Sequence, residues 1–437
     1  MDTGSSRRVV ITGVGVVSPL GNDPQRLLSG LREGTSGIRP FSQLPHGVMS
    51  VDHGAEASEF TGDIADYGPM EKKLQRTIRK GSKVMCREIE MGVAVAQLAL
   101  NSAGLSEVSS RDRDRTGSVY GCDYIMSMPE EFASGVVKCL DDDGNFDFDR
   151  WGQEGKPEVN PLWLLKYLPN MPASHIAIYN DLRGPNNSIT VREASAGAAI
   201  SEAYSTIQRG HADVLVVGST GSRIHPLRTL HASMQETLAT TAADPSTMSR
   251  PFDASRDGSV LGEGAGALIC ESLENAERRG ANILGEVVGV ATSAVGPRQG
   301  ADQFMRQAFV NVLRSALGDA EPNSIGHLHA HGLSHPEVDR QEAEAIAEVF
   351  GTPDQQPPVT TAKGHFGNLG AGGGMVEVIA SLEALGDELF PIRNLQQLDP
   401  DCPINACTTA VAAGDEFISA NITPQGQASA VRIRKGI

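Results

Sequence analysis

The sequence predicts a layered α/β fold, and three observations carry that prediction. Short runs rich in Val, Ile, Leu, Ala and Gly alternate along the chain with longer stretches of helical periodicity. The chain has 437 residues, 40% of them hydrophobic, enough to bury the core of two domains or of one large duplicated α/β unit. Its 48 glycines imply many tight turns and close backbone approaches.

The elements follow in order. Residues 1–7 read as a polar tail. Val9–Val17 reads as a buried strand running into a glycine turn at Gly13-Val14-Gly15. Ser18-Pro19-Leu20-Gly21-Asn22 then leads to a helix over 23–33. Residues 82–103, rich in Ala, Val and Met, carry helical periodicity, and 115–121 read as a short strand. Residues 134–158 are polar and acidic around Asp141-Asp142-Asp143-Gly144, have little periodicity, and read as a surface excursion or lid. A helix with one small face is predicted over 194–209, and a buried strand over 212–218. Residues 260–271 are Gly/Ala-rich and strand-forming. Helices are predicted over 302–317, 336–350 and 376–386, with closing strands over 417–421 and 428–433.

Composition excludes several functions. The net charge of -17 argues against a nucleic-acid role without a strong basic patch. One modest patch exists, Lys72, Lys73, Arg76, Arg79, Lys80 and Lys83. It reads either as a solvated helix face or as a dock for an acidic partner. The six cysteines form no CxxC pair and no Cys/His set with zinc spacing. With no secretory signal at the N-terminus, reduced thiols in a cytoplasmic protein are expected. No apolar run is long enough for a membrane span. Gly13-Val14-Gly15 lacks the third glycine of a dinucleotide fingerprint, and no GxxxxGK[ST] loop occurs.

Three segments carry a family resemblance. They are Arg8-Val-Val-Ile-Thr-Gly-Val-Gly-Val-Val-Ser-Pro-Leu-Gly, Leu168-Pro-Asn-Met-Pro-Ala-Ser-His-Ile-Ala-Ile, and Ser249-Arg-Pro-Phe-Asp-Ala-Ser-Arg-Asp-Gly-Ser-Val-Leu-Gly-Glu-Gly-Ala-Gly-Ala. Together they resemble the β-ketoacyl synthases, the condensing enzymes of fatty acid and polyketide synthesis, in the right order from about residue 8 to 433. The resemblance implies a thiolase-like, five-layered α-β-α-β-α fold with two pseudo-duplicated halves, residues 8–266 and 267–437, the first interrupted by the 134–158 insertion. It also implies a dimer, with the region around 159–190 packing across it.

In the family, Gly-Pro-x-x-Ser-Ile-x-x-Ala-Cys opens a helix whose N-terminus stabilises a thiolate and helps build an oxyanion hole. Counting from Gly184-Pro185, or back from Ile200-Ser201-Glu202-Ala203, puts Glu193 at the cysteine. A slip of one residue would offer the inert Ala194, and Ser195 lies two positions late. The family's first histidine matches His331, with Leu333 where the family has Thr and with Asp339 and Glu342 in register. In the Lys-Ser-x-x-Gly-His motif, Lys363 matches the lysine and Asn368 the histidine, with His365 as a shifted substitute. Asn421-Ile422-Thr423-Pro424-Gln425-Gly426-Gln427 matches the gating loop without either phenylalanine. Gln425 could still offer an oxyanion N–H there, whereas Pro424 could not.

These matches imply one of three proteins. The first is a condensation-deficient subunit, like a chain-length factor, pairing with an active ketosynthase. The second acts without a covalent step, as a malonyl-carrier decarboxylase using His331 and Asn368 or with Glu193 as a general base. The third is a 3-oxoacyl-carrier synthase with a displaced nucleophile. No intrinsic cofactor is implied. The phosphopantetheine arm of an acyl carrier protein belongs to the substrate, and Arg79, Lys80 and Lys83 are the candidate contacts for that carrier. The dimer partner is either a second copy or a catalytic sibling.

Overall fold

A computed structural model describes residues 7–44, 47, 49, 51–107, 110–240, 242–297 and 303–436. Most of the expected polar tail, and residue 302 at the start of an expected helix, lie outside the described residues.

Ten strands form one sheet. They are β1 (Val9–Val17), β2 (Thr116–Cys122), β3 (Asn186–Thr190), β4 (Val214–Ser222) and β5 (Glu263–Ser272), then β6 (Gly285–Ala294), β7 (His327–His329), β8 (Val359–Thr360), β9 (Glu416–Ile422) and β10 (Gln427–Lys435). The spatial order is β8-β7-β9-β10-β6-β1-β5-β4-β2-β3. In the first half β1, β5 and β4 pair antiparallel, and β4, β2 and β3 pair parallel. The second half repeats the pattern: β6, β10 and β9 antiparallel, then β9, β7 and β8 parallel. Val9, Val10 and Ile11 of β1, paired with β6, join the two halves of the sheet. The same topology twice, in the same chain order, is the duplication that the resemblance implies.

The longer helices are α1 (Pro24–Arg32), α2 (Lys72–Gly81), α3 (Arg87–Ser102), α4 (Glu130–Lys138), α5 (Met171–Asn180), α6 (Ser195–Gln208), α7 (Pro226–Gln235), α8 (Phe304–Leu317), α9 (Pro336–Phe350) and α10 (Gly373–Ala384). α3 covers the outer face of the first half-sheet and α8, backed by α9, that of the second. α6 and α10 touch each other and both half-sheets, so they form the middle layer of five. That position explains their composition. A helix enclosed on all sides must be apolar or small all round. α10 accordingly buries Gly373 and Gly374, Val376, Val378 and Ile379 together.

The structure corrects one expectation and adds detail to two others. The glycine turn at Gly13-Val14-Gly15 is mid-strand. A Cβ on Gly13 would lie 2.5 Å from Ala99 O and one on Gly15 2.2 Å from Val95 O, so these glycines admit α3 against β1. Residues 134–158 are largely helical: 134–138 continue α4, and short helical turns follow to Glu158. Their apolar partners, Phe132, Trp151 and Trp163, pack on one another locally, which is why no core-facing period shows in the sequence. Finally, β5 runs through the 266/267 division and pairs with β1 and β4 on both sides of it. Among the described residues no helix is long and apolar enough to cross a membrane.

Candidate functional site

The duplication brings two helix starts together in the middle layer. β3 ends at Thr190, and the backbone reverses at Arg192, where φ is 47°. A single 3-10 turn, Arg192–Ala194, carries Glu193 into α6. In the second half, β8 leads to a short helix, Lys363–Phe366, then to Asn368 and the turn Gly370–Gly372 that opens α10. The two turns are in contact. His331 follows β7, and Gly332 beside it has φ 47°. A Cβ there would lie 2.7 Å from Thr361 Cγ2, so the close approach and the left-handed backbone both require glycine.

Glu193 is 3% exposed. Its Oε1 accepts from Asn368 Nδ2 at 3.0 Å. Asn368 Oδ1 is occupied by Gly370 N–H at 2.9 Å, so only its amino end can face the carboxylate. Two guanidinium groups complete the setting. Arg192 Nη2 lies 3.4 Å and Arg223 Nη1 3.5 Å from Glu193 Oε1. Both arginines also bind Glu236, at 2.7 and 2.5 Å, so the four side chains form one ion cluster, which Arg192 extends to Asp123 at 4.0 Å. Burial pushes the Glu193 carboxyl up, but Arg192, Arg223 and the Asn368 hydrogen bond outweigh it and hold the group at about 2. The N-terminus of α6 favours the same charge.

The second-half side is built differently. His331 Nδ1 donates to Asn421 Oδ1 at 2.8 Å, because Asn421 Nδ2 is committed to Glu377 Oε2 at 2.9 Å. Lys363 Nζ donates to Glu377 Oε1 and, at 3.2 Å, to the same Asn421 Oδ1. Glu342 accepts from His331 N and Gly332 N, at 2.6 and 2.8 Å, and pins their turn. Burial and the neighbouring Lys363 charge push the His331 imidazole down to about 4. It is therefore neutral at pH 7, with its proton on Nδ1 and a lone pair on Nε2.

The other candidate side chains lie away from the cavity. Ser195 is fully buried: its Oγ donates to Cys122 O at 3.0 Å and accepts from Val191 N at 3.1 Å, so both bonds tie it to backbone. His365 donates from Nδ1 to Thr35 O at 2.9 Å, packs edge-on against Phe390, and does not line the cavity shared by Glu193 and Asn368. Lys363 reaches the site only through Asn421 and Glu377. Gln425 is exposed at the tip of the β9–β10 hairpin, and Ile422, Thr423 and Pro424 line the cavity in its place. Arg79, Lys80 and Lys83 are exposed on and just after α2, away from that cavity.

Arg192, Arg223 and Glu236 were not read from the sequence as site residues. Arg192 sits next to Glu193 in a small, polar run and could have been suspected. Arg223 and Glu236 lie far from residue 193 along the chain, and nothing local marks them.

The cavity between the two clusters measures about 20 Å³ and is bounded by Glu193, Glu236, His331, Leu333, Asn368 and Pro424. A water needs roughly 10–15 Å³ measured this way, so the space fits one water and no acyl chain. A carboxyl held near 2 is a poor proton acceptor at neutral pH. The Nε2 lone pair of His331 can accept a hydrogen bond but cannot donate one to an enolate oxygen.

Comparison with known proteins gives the family of the fold. Residues 6–276 match the model of the β-ketoacyl synthase N-terminal domain, and residues 284–395 that of the C-terminal domain. A 3-oxoacyl-[acyl-carrier-protein] synthase 2 of Synechocystis is 31% identical over 402 residues, 91% of this chain and 90% of the relative. The crystal structure of a β-ketoacyl synthase from Burkholderia phymatum superposes with a TM-score of 0.83 at 25% identity, over 99% of this chain and 100% of that one. The ishigamide ketosynthase/chain length factor superposes with a TM-score of 0.79 at 24% identity, again over 99% and 100%.

Proposed function

The chain belongs to the β-ketoacyl synthase family, and from that premise we propose that it is a condensation-deficient subunit that pairs with an active ketosynthase, in the manner of a chain-length factor. One observation carries the reading. Glu193, which motif register sets at the family's thiolate position, is a carboxylate held between two arginines, beside a cavity of only about 20 Å³. Condensation needs a nucleophile that can carry an acyl group and a channel to receive it. Glu193 supplies no thiol, its carboxylate is already occupied by two arginines, and Leu333 and Pro424 line the small cavity beside it.

The surface supports a partner. β3 is the outermost strand of the first half-sheet and pairs on one side only, with β2. Such an edge is a template for a strand from another subunit. Leu162, Leu164, Ile178, Leu230 and Met234 are exposed apolar side chains, more than a solvated surface needs to show. The carrier would dock on Arg79, Lys80 and Lys83, which form no ion pair with any described residue, and bring its phosphopantetheine arm to the partner's site. A cytoplasmic location follows from that carrier chemistry.

Native mass spectrometry of the chain co-expressed with a cysteine-bearing ketosynthase from a neighbouring reading frame tests the proposal. A one-to-one heterodimer that condenses, where neither chain does so alone, is the expected result. Condensation by this chain alone would overturn it.

A second reading has one observation in its favour: His331 and Asn368 still share a cavity wall. A malonyl-carrier decarboxylase would use them non-covalently. Release of CO₂ from malonyl-carrier by the pure chain, lost in His331→Ala, would select this reading over the first.

A further inference from the structure

The segment that follows α4 takes no part in the site at Glu193. The chain there turns back on itself. Leu140 and Phe146 form an isolated antiparallel bridge, Asp141 N–H donates to Asn145 O at 2.9 Å, and Asp147 N–H donates to Cys139 O at 2.8 Å. The turn is anchored on an aromatic core. Phe146 packs on Trp151, Trp151 on Phe132 and Phe132 on Trp163, with ring centroids 6.0, 6.4 and 5.0 Å apart. α4 comes close to it through a glycine: a Cβ on Gly135 would lie 2.7 Å from Gly155 O.

Beside that core, apolar side chains face water. Phe148 is 75% exposed, Val137 66%, Phe146 45% and Val136 36%. The rings of Phe146 and Phe148 lie edge to face, and the two valines end α4 where the turn begins. An exposed apolar patch of this kind marks an interaction surface. Its charge narrows what can cover it. Asp147 and Asp149 alternate with the two phenylalanines, and Asp141, Asp142 and Asp143 form the tip of the turn. None of these aspartates forms an ion pair with any described residue, and the cations that bracket them, Lys138 and Arg150, are taken by Glu158 and Glu154. Such a surface repels an anionic membrane, a nucleic acid and an acidic carrier alike. The bridge is one residue pair long, too short an edge for strand addition, so side chains must make the contact, as they do when an amphipathic helix docks.

We propose that this turn and the end of α4 are a docking surface for a cationic amphipathic helix of a partner protein. Its apolar face would lie on Val136, Val137, Phe146 and Phe148, and its Lys or Arg side chains would meet the unpaired aspartates. None of these side chains is among those offered above to a paired ketosynthase, and docking here is independent of the role proposed for Glu193.

The chain's two tryptophans, Trp151 and Trp163, both pack on Phe132 in this core, so intrinsic fluorescence reads this surface. Titrating the full chain with a synthetic helical peptide of leucine and lysine should give a saturable, one-to-one change. The same peptide with its leucines replaced by glutamine should bind at least about ten-fold more weakly. Phe148→Ala should weaken binding about ten-fold and leave the thermal midpoint unchanged, since that ring is exposed. Asp142→Asn with Asp143→Asn should weaken binding at low salt and flatten its dependence on salt. No saturable change, equal affinity for the two peptides, or parental affinity in Phe148→Ala would each overturn the proposal. The same fluorescence change with phosphatidylcholine vesicles would assign the patch to a lipid surface instead. A change on concentrating the chain alone, lost in Phe148→Ala, would assign it to a second copy; either result overturns the proposal.

Discussion

The two walls of the central cavity differ in how their charges are settled. On the second-half wall, His331, Asn421, Glu377 and Lys363 form one hydrogen-bonded chain in which every group has a defined donor or acceptor role. On the first-half wall, Glu193, Arg192, Arg223 and Glu236 form an ion cluster that still leaves Glu193 Oε2, Arg192 Nε and Arg223 Nε buried without hydrogen-bond partners. The first arrangement is a scaffold that orients an imidazole. The second fills with charge the place where an acyl group would be received. The difference teaches that Glu193 belongs to an electrostatic structure of several side chains rather than standing alone.

The contrast can be broken on the scaffold side first. Lys363→Met leaves the Glu377 carboxylate buried without its cation and should cost about 3–5 kcal/mol in urea unfolding. Glu193→Gln should cost less, about 1–3 kcal/mol, because Glu236 remains to pair both arginines. A larger loss in Glu193→Gln than in Lys363→Met would invert the comparison.

Acid sharpens it. His331 is held down at about 4, below its ordinary 6.5, so the unfolded chain takes up its proton first and stability falls as pH drops from 6.5 through 4. Glu193 is held at about 2, below its ordinary 4.5, so its contribution is fully present above 4.5 and lost as pH falls through 2. Stability of Glu193→Gln measured against pH should therefore run parallel to the parent above pH 5 and converge on it below. A constant gap down to the acid limit would show that Glu193 is not charge-paired.

The smallest effect belongs to the surface. Arg79→Glu with Lys80→Glu should leave stability within about 0.5 kcal/mol, since both side chains are exposed on α2, yet weaken carrier binding measured at low salt. Unchanged carrier affinity would remove the patch from the account.

Much of this fold is legible in the sequence. β1, β5, α6, α9 and the closing hairpin follow from apolar runs and periodicity, because each packs on a neighbour across its full length. β6 was missed because its residues from Val288 to Val290 are only partly buried and Gly285 and Gly289 interrupt its apolar run. Gly289 is there for packing: a Cβ would lie 2.3 Å from Ala316 O. Glu193, His331 and Asn368 were found by motif register and do share one cavity. Gln425 was placed at the site by the same register, but the hairpin turn points it to solvent and leaves Pro424 on the cavity. Arg223 and Glu236 reach Glu193 only through tertiary packing around α7, which no spacing rule reveals.

Intact-mass spectrometry of the chain after incubation with an acyl-carrier thioester is the most direct test of the charge-locked, non-covalent site. The expected result is the unmodified mass, in the parent and in Glu193→Ala alike. An added mass equal to the acyl group, mapped to any residue lining the cavity, would contradict it.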